Sequence, residues 1–393
     1  MRDVHGFAAD GFDGVRAAFA AAVDGPDGDP DAQLAVFQQG RKVVDLWASP
    51  DGENAITALF STAKGAAHLV VAMLVQDGTL KLDQPVSEVW PEFSGFGKEH
   101  LTLRELLGHR SGVIGVDGGF TNEELADDRL LAARLAGQRP FWEPWTAYGY
   151  HAFVIGALTG EVVRRATGRS IQEHFEERIR APRGLDFFLG LPESEESRFL
   201  PVLPPTRRKG RMRGDTLIGV AFNANAPQVD DMGEFLVGFA NTRNTRALGP
   251  ASSGGVGNAR GVAGVYAAAI GDGTTPPLLT GDTIAEFTTP QDAGIDLVTH
   301  ERNHFALGFE VTSHAYPELG TDSFGHAGAT GTQSFADPAS GIAYSYVRRR
   351  FSTGGGGGAP ENTGLIAAVM EAASQGRGGP SAGPAAFFPE VSP

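Results

Sequence analysis

Between residues 11 and 23 apolar side chains recur at helical spacing, and the Asp/Gly/Pro-rich stretch 24–31 that follows is a turn-forming connector. Two apolar runs, 34–37 and 42–47, flank Gln38-Gln39-Gly40-Arg41 and predict a β-hairpin. From Ser61 the chain is rich in alanine and valine up to Asp77-Gly78, where a glycine stands in C-cap position; a buried helix is expected over 61–76. Helical windows at 101–107, 122–135, 151–167 and 171–180, broken by proline-rich loops, predict a mainly helical lobe. Beyond Gly254 a helix at 259–270 and three alternating segments, 305–311, 332–336 and 342–348, return the chain to a sheet. A glycine run, 354–358, precedes a last helix at 363–373. Strands at both ends around a helical middle predict one discontinuous α/β (α+β) body over 1–375. Its sheet lobe is expected at about 1–60 and 254–375, its helical lobe at about 61–253, with a Gly/Pro-rich tail at 376–393. The cleft between such lobes is the expected ligand site.

Composition narrows the chemistry. The 393 residues are 41% hydrophobic and 20% charged, the makeup of a globular protein. A formal charge of −15 repels nucleic acid and anionic lipid, so neither is an expected partner. There is no cysteine, which leaves oxygen or lysine as the only covalent nucleophile and excludes thiolate-ligated metals. No apolar run reaches the roughly 18 residues of a membrane span. The first 23 residues carry Asp3, Asp10 and Asp13 without a signal-like apolar core, so cytoplasmic residence is expected.

Three segments carry candidate chemistry. In Ser61-Thr62-Ala63-Lys64, a helix beginning at Ser61 places Lys64 one turn on, on the same face. A lysine among Ala66, Ala67 and Val70 has its charged form disfavoured, so it can accept or relay the serine proton, while the helix N-terminus directs free N–H groups toward a developing oxyanion. The second segment is Tyr148-Gly149-Tyr150-His151, at a helix start; a tyrosine there gains proton-accepting power if Lys64 lowers its pKa, and Phe141-Trp142 beside it offers a pocket wall. The third is His326-Ala327-Gly328-Ala329, whose small residues let a substrate approach a strand edge and whose Ala329 N–H can serve as a second oxyanion donor.

In this order, Ser61-x-x-Lys64, the tyrosine box ahead of Arg165-Ala166-Thr167-Gly168, and His326-x-Gly328 resemble the three motifs of the serine β-lactamase and penicillin-binding superfamily. The stretches Asp77-Gly78-Thr79-Leu80 and Leu101-Thr102-Leu103-Arg104-Glu105-Leu106-Leu107-Gly108-His109-Arg110-Ser111-Gly112 agree, and the likeness spans about 30–372. Within the superfamily the chain most resembles the class C β-lactamase-like, family VIII carboxylesterases. The resemblance implies a β-lactamase/DD-peptidase-like fold, with an antiparallel sheet from both chain ends flanked by helices. It also implies a cofactor-free serine hydrolase acting on small-molecule esters: Ser61 as acylated nucleophile, Lys64 and a tyrosine as the base pair, and oxyanion donors at the Ser61 and Ala329 amides. Tyr150 fits the box better than Tyr148, and the implied mechanism has Tyr150, partly ionised by Lys64, taking the serine proton. His326, Gly328, Trp142 and Tyr148 are the expected substrate-binding residues. Lactamases usually carry Asn where Ala152 stands and Lys where His326 stands, so β-lactamase or D-alanyl-D-alanine carboxypeptidase activity is the second expectation.

A rival motif is His300-Glu301-Arg302-Asn303-His304, which matches the zincin string His-Glu-x-x-His. Phe305, Leu307, Phe309 and Val311 then alternate at period two, so a strand is expected directly after His304 and the ligand helix has no room. A polar loop is the preferred reading, with a zinc hydrolase as the minor alternative and no metal expected. Ahead of the Gly/Pro-rich tail no Gly-x-Ser-x-Gly elbow occurs in the chain.

Overall fold

The structure, a computed structural model, describes residues 3–207, 212–271, 276–291, 294–302, 305–352 and 358–375. The tail 376–393, His304 and nearly all of the 354–358 glycine run lie outside the described residues.

The strands are β1 (His5–Ala8), β2 (Gln33–Gln38), β3 (Arg41–Trp47), β4 (Thr57–Phe60), β5 (Phe187–Leu189), β6 (Gly255–Gly257), β7 (Glu310–Val311), β8 (Phe324–Ala327), β9 (Gln333–Asp337) and β10 (Ile342–Val347). Seven form an antiparallel sheet in the order β1-β3-β2-β10-β9-β8-β7, so the two chain ends meet where β2 pairs with β10. The remaining three, β4-β6-β5, make a small sheet. Helix α1 (Asp13–Asp24) follows β1, and α2 (Thr62–Gln76) follows β4.

Alternation along the central strands divides their side chains by size. Leu34, Val36, Phe335, Tyr344 and Tyr346 face one layer, packed with Val15 and Phe19 of α1 and with Leu365, Ile366 and Val369 of the helix Glu361–Gln375. Ala35, Ala336 and Ala343 point the other way, into the larger core shared with α2 and the helix Ala259–Ile270. Small residues on that face let the helices lie close to the sheet, and both faces are covered, as buried central strands require.

Three expected elements differ. The 122–135 window is two helices, Asn122–Ala126 and Asp128–Ala136, because Asp127 turns out of helical geometry and caps the second by accepting from Arg129 N (2.8 Å). The 151–167 helix begins at Ile155, since His151 is committed to hydrogen bonds outside any helix. The strand expected over 305–311 is reduced to β7: Gly308, at φ +81°, turns the chain back so that Ala306 N donates to Phe309 O (2.9 Å). Phe305, Leu307, Phe309 and Val311 are all buried, but in a tight turn.

Candidate active site

Ser61 stands between β4 and α2, at backbone angles already helical (φ −64°, ψ −12°), and its side chain makes no capping bond. The residue before it, Phe60, has φ +49°, a left-handed conformation that is strained for a bulky side chain and is tolerated only where the surroundings enforce it. Phe60 is buried edge-on against Phe351, with ring centroids 5.2 Å apart. This sharp exit from the strand leaves Oγ free for the cleft.

Lys64, one turn on, is fully buried. Its Nζ lies 3.0 Å from Ser61 Oγ, 2.6 Å from Ala152 O and 2.9 Å from Ser252 O. Carbonyl oxygens only accept, so two Nζ–H bonds belong to Ala152 and Ser252 in either protonation state. The third position is the one that changes: the ammonium donates to Ser61 Oγ, whereas the neutral amine turns its lone pair toward the serine proton. Burial pulls the Lys64 pKa down to about 7, against the opposing pull of the Glu310 carboxylate. The amine is therefore available near neutrality.

Tyr150 completes the arrangement, its hydroxyl donating to Ser61 Oγ over 2.8 Å. Its ring stacks parallel to Phe305 (5.6 Å, 3°), and Lys64 Nζ lies 4.9 Å from the ring centroid. Its N–H donates to the buried carboxylate of Asp296 (3.0 Å), which also receives the N–H groups of Val298 and Thr299. The expectation of a partly ionised Tyr150 is corrected here. Burial raises its pKa far above the usual phenol value, with Glu310 and Asp296 adding to the shift against the Ser61 hydrogen bond, so the phenol is held neutral while Lys64 is the group that loses its proton near neutrality.

The end of β8 closes the site. A Cβ on Gly328 would stand 2.4 Å from Leu59 O and 2.9 Å from Thr62 Oγ1, so only glycine lets this turn approach the β4–α2 junction. The approach brings Ala329 to the same cleft as Ser61, and no hydrogen bond from the Ala329 N–H to another described residue is present. The cleft has a volume of about 480 Å³ and is lined by Ser61, Tyr150, Gly328 and Ala329, by Phe222, Phe305 and Tyr316, and by Glu310 and Gln333.

The other expected residues lie elsewhere. His326 is buried behind the cleft wall; Nδ1 is 2.8 Å from Ala327 O and 3.3 Å from Glu310 Oε1, and burial, with Lys64 adding to it, holds its pKa well below the usual imidazole value. Tyr148 spends its hydroxyl on Gly294 O (3.1 Å) and Trp142 its indole N–H on Ala147 O (3.2 Å); neither lines the cleft. Both hold the polypeptide around Tyr150 in place. Ser111 and His151 form a buried pair (2.6 Å) on the same scaffold. His300 and Glu301 lie in a turn, His300 at φ +60°, with no helix to align metal ligands, and among the described residues no group of His, Asp and Glu is placed to hold a metal ion. Sequence reasoning missed Glu310, Asp296 and Phe305, and the carbonyls of Ala152 and Ser252, because each reaches the site through tertiary contacts alone.

The family model described as Beta-lactamase matches residues 19–368. EstA from Arthrobacter nitroguajacolicus Rue61a has a similar structure, with a TM-score of 0.85 at 39% identity, over 94% of this chain and 98% of that one. A family VIII carboxylesterase superimposes with a TM-score of 0.83 at 32% identity, over 94% of this chain and 100% of that one. Among curated proteins, the Esterase/beta-lactamase LipL of Mycobacterium tuberculosis is 28% identical over 351 residues, 81% of this chain and 76% of its own length. Among the described residues no helix is long and apolar enough to cross a membrane.

Proposed function

We propose that this chain, which belongs to the Beta-lactamase family, is a serine carboxylesterase that hydrolyses small carboxylic esters through an acyl-enzyme on Ser61. The observation that carries the reading is the convergence of Lys64 Nζ and Tyr150 OH on one serine oxygen in an open cleft. Likeness to EstA and to the family VIII carboxylesterase supports the choice of ester over other acyl groups.

In this mechanism neutral Lys64 takes the Ser61 proton as Oγ attacks the ester carbonyl. The oxyanion accepts from the Ser61 and Ala329 amides. Tyr150 gives its proton to the departing alkoxide, and the Lys64 ammonium, beside the phenol ring, restores it. Water then attacks the acyl-enzyme, losing its proton to the same pair, and the acid leaves as Ser61 is reprotonated. No cofactor enters these steps. Residues 1–375 act as one hydrolase unit in this reading, with the cleft between its sheet and helical parts.

Tyr150→Phe keeps the ring stack and removes only the proton donor. It is expected to lower kcat/KM for benzyl butanoate, whose alkoxide leaving group needs the proton, about 10²-fold, the usual worth of general acid–base catalysis, whereas Tyr148→Phe changes it less than about fivefold. The reverse ranking would exchange the two tyrosines.

One finding favours a second reading, since LipL carries both esterase and β-lactamase in its name. Against it, Ala152 offers no side-chain amide to grip a β-lactam, and His326, neutral and backed by Glu310, supplies no cation for a β-lactam carboxylate. Turnover of p-nitrophenyl butanoate is expected to exceed that of nitrocefin by about 10² or more, a gap of roughly 2.7 kcal/mol in barrier. Nitrocefin turnover equal to or above that of the ester would replace the esterase assignment with β-lactamase.

A further inference from the structure

The cleft carries one carboxyl group beside Ser61 whose purpose the acyl-transfer steps leave unexplained. Glu310 lies on β7 opposite Gly325 of β8, and its Oε2 accepts from Ala327 N (3.0 Å). Its other oxygen stands 3.3 Å from His326 Nδ1. That imidazole is not a counter-ion. Nδ1 faces two acceptors, Ala327 O and Glu310, so it holds the single ring proton and leaves Nε2 bare, and burial disfavours a second proton. Lys64 is committed to Ser61, Ala152 and Ser252, and acts on Glu310 only as a charge at a distance, and less so as the amine loses its proton above about pH 7. Among the described residues no Lys or Arg side chain stands within ion-pair distance of Glu310. The other titratable groups on the cleft wall, Glu301, Arg302 and His314, are exposed at its rim.

A carboxyl group walled into a cleft with no cation at ion-pair distance is costly unless a partner arrives, and burial accordingly raises the Glu310 pKa to about 7. Its side chain is still 29% exposed, so a ligand can reach it. A further feature of the same wall suits a cation over a hydrocarbon. Tyr150, Phe305 and Tyr316 present aromatic rings, which attract ammonium groups.

We propose that Glu310 anchors a protonated amine on the substrate, so that the cleft selects esters bearing an ammonium group over neutral esters of the same shape. This rests on the ester-hydrolase reading for its turnover consequence, but not for its binding consequence. The contact formed is a charge-assisted hydrogen bond between an R–NH₃⁺ donor and Glu310 Oε1, and no covalent bond changes.

The test compares wild type with Glu310→Gln at pH 7.5, using two matched pairs. The first pair is benzyl β-alaninate and benzyl butanoate, whose acyl chains have the same number of heavy atoms and differ by an ammonium group. The ratio of their kcat/KM values within each protein removes any general loss of activity. The second pair is benzylammonium and benzyl alcohol, whose binding is followed by ligand-observed NMR. Wild type is expected to favour the ammonium member of each pair by about 10-fold or more, and Glu310→Gln to reduce that preference about 10–100-fold, the usual worth of a hydrogen bond to a charged group. Glu310→Asp, which keeps the charge, is expected to retain part of it. A wild-type preference for the neutral members, or preferences left unchanged by Glu310→Gln, would overturn the proposal. Absence of turnover of either ester by the wild type would strike the ester-hydrolase reading instead, and the binding pair would still decide the role of Glu310.

Discussion

Replacing Ser61 with alanine is expected to lower kcat/KM for p-nitrophenyl butanoate by about 10⁴–10⁶-fold, the loss seen when an acyl-transfer enzyme keeps its oxyanion donors and pocket but has no nucleophile. The deletion removes one oxygen that receives hydrogen bonds from Lys64 (3.0 Å) and Tyr150 (2.8 Å), while everything that positions those two groups remains. Lys64 keeps the Ala152 and Ser252 carbonyls, and Tyr150 keeps Asp296 and the Phe305 stack. The variant should therefore fold with an unchanged circular dichroism spectrum, so that lost activity reports lost chemistry. A fluorophosphonate should add one phosphonyl group to the wild type and none to Ser61→Ala, read by intact mass. Activity within tenfold of wild type would mean that another group performs the attack.

The parts of the molecule that were legible in the sequence are those whose signal is local. The 259–270 helix and the 33–47 hairpin show in periodicity and turn chemistry, because their stability depends on which face is apolar and where the chain can reverse. The Ser61–Lys64 neighbourhood is likewise a matter of helix geometry within a single turn. The surroundings of those residues were not legible. Glu310 sits inside an alternating segment that reads as an ordinary strand, and only the turn at Gly308 delivers its carboxyl to the cleft. Asp296 holds Tyr150 across a separation of 146 residues, and Ser252 O meets Lys64 across 188. Such contacts leave no periodic trace. The protonation states follow the same division: burial, which a sequence reveals only in outline, lowers Lys64 and raises Tyr150 together, which agrees with the proton-accepting lysine expected from its apolar helix and departs from the ionised Tyr150 of the implied mechanism.

Lys64→Met is expected to cost at least about 10³-fold in kcat/KM and to remove the acid limb of the pH profile. In wild type, kcat/KM should rise with pH and level off above about 7, because below that value the amine is protonated and has no lone pair for the Ser61 proton. The groups around Nζ define what else moves in this range. Tyr150, His68, His109 and His326 stay neutral through it, burial having pushed the phenol up and the imidazoles down. Glu310 alone also titrates near 7, so the limb belongs to the Lys64–Glu310 pair, and removing the carboxylate by Glu310→Gln should shift it to lower pH. In Lys64→Met the residual rate should be flat between pH 6 and 8; a limb that persisted there would assign the ionisation elsewhere. The same shift predicts a stability effect of fixed sign. Between about 7 and 10.5 the unfolded chain holds a proton at Lys64 that the native state has lost, so unfolding free energy gains from this group as pH rises. The destabilisation is therefore full at pH 7 and below, where an ammonium is held in the interior, and it is relieved toward pH 10.5. Urea titrations of wild type and Lys64→Met across that interval should differ in slope in this sense, because the burial that leaves the amine unprotonated, and so free to take a proton near neutrality, is the same burial that opposes its charge in the folded protein.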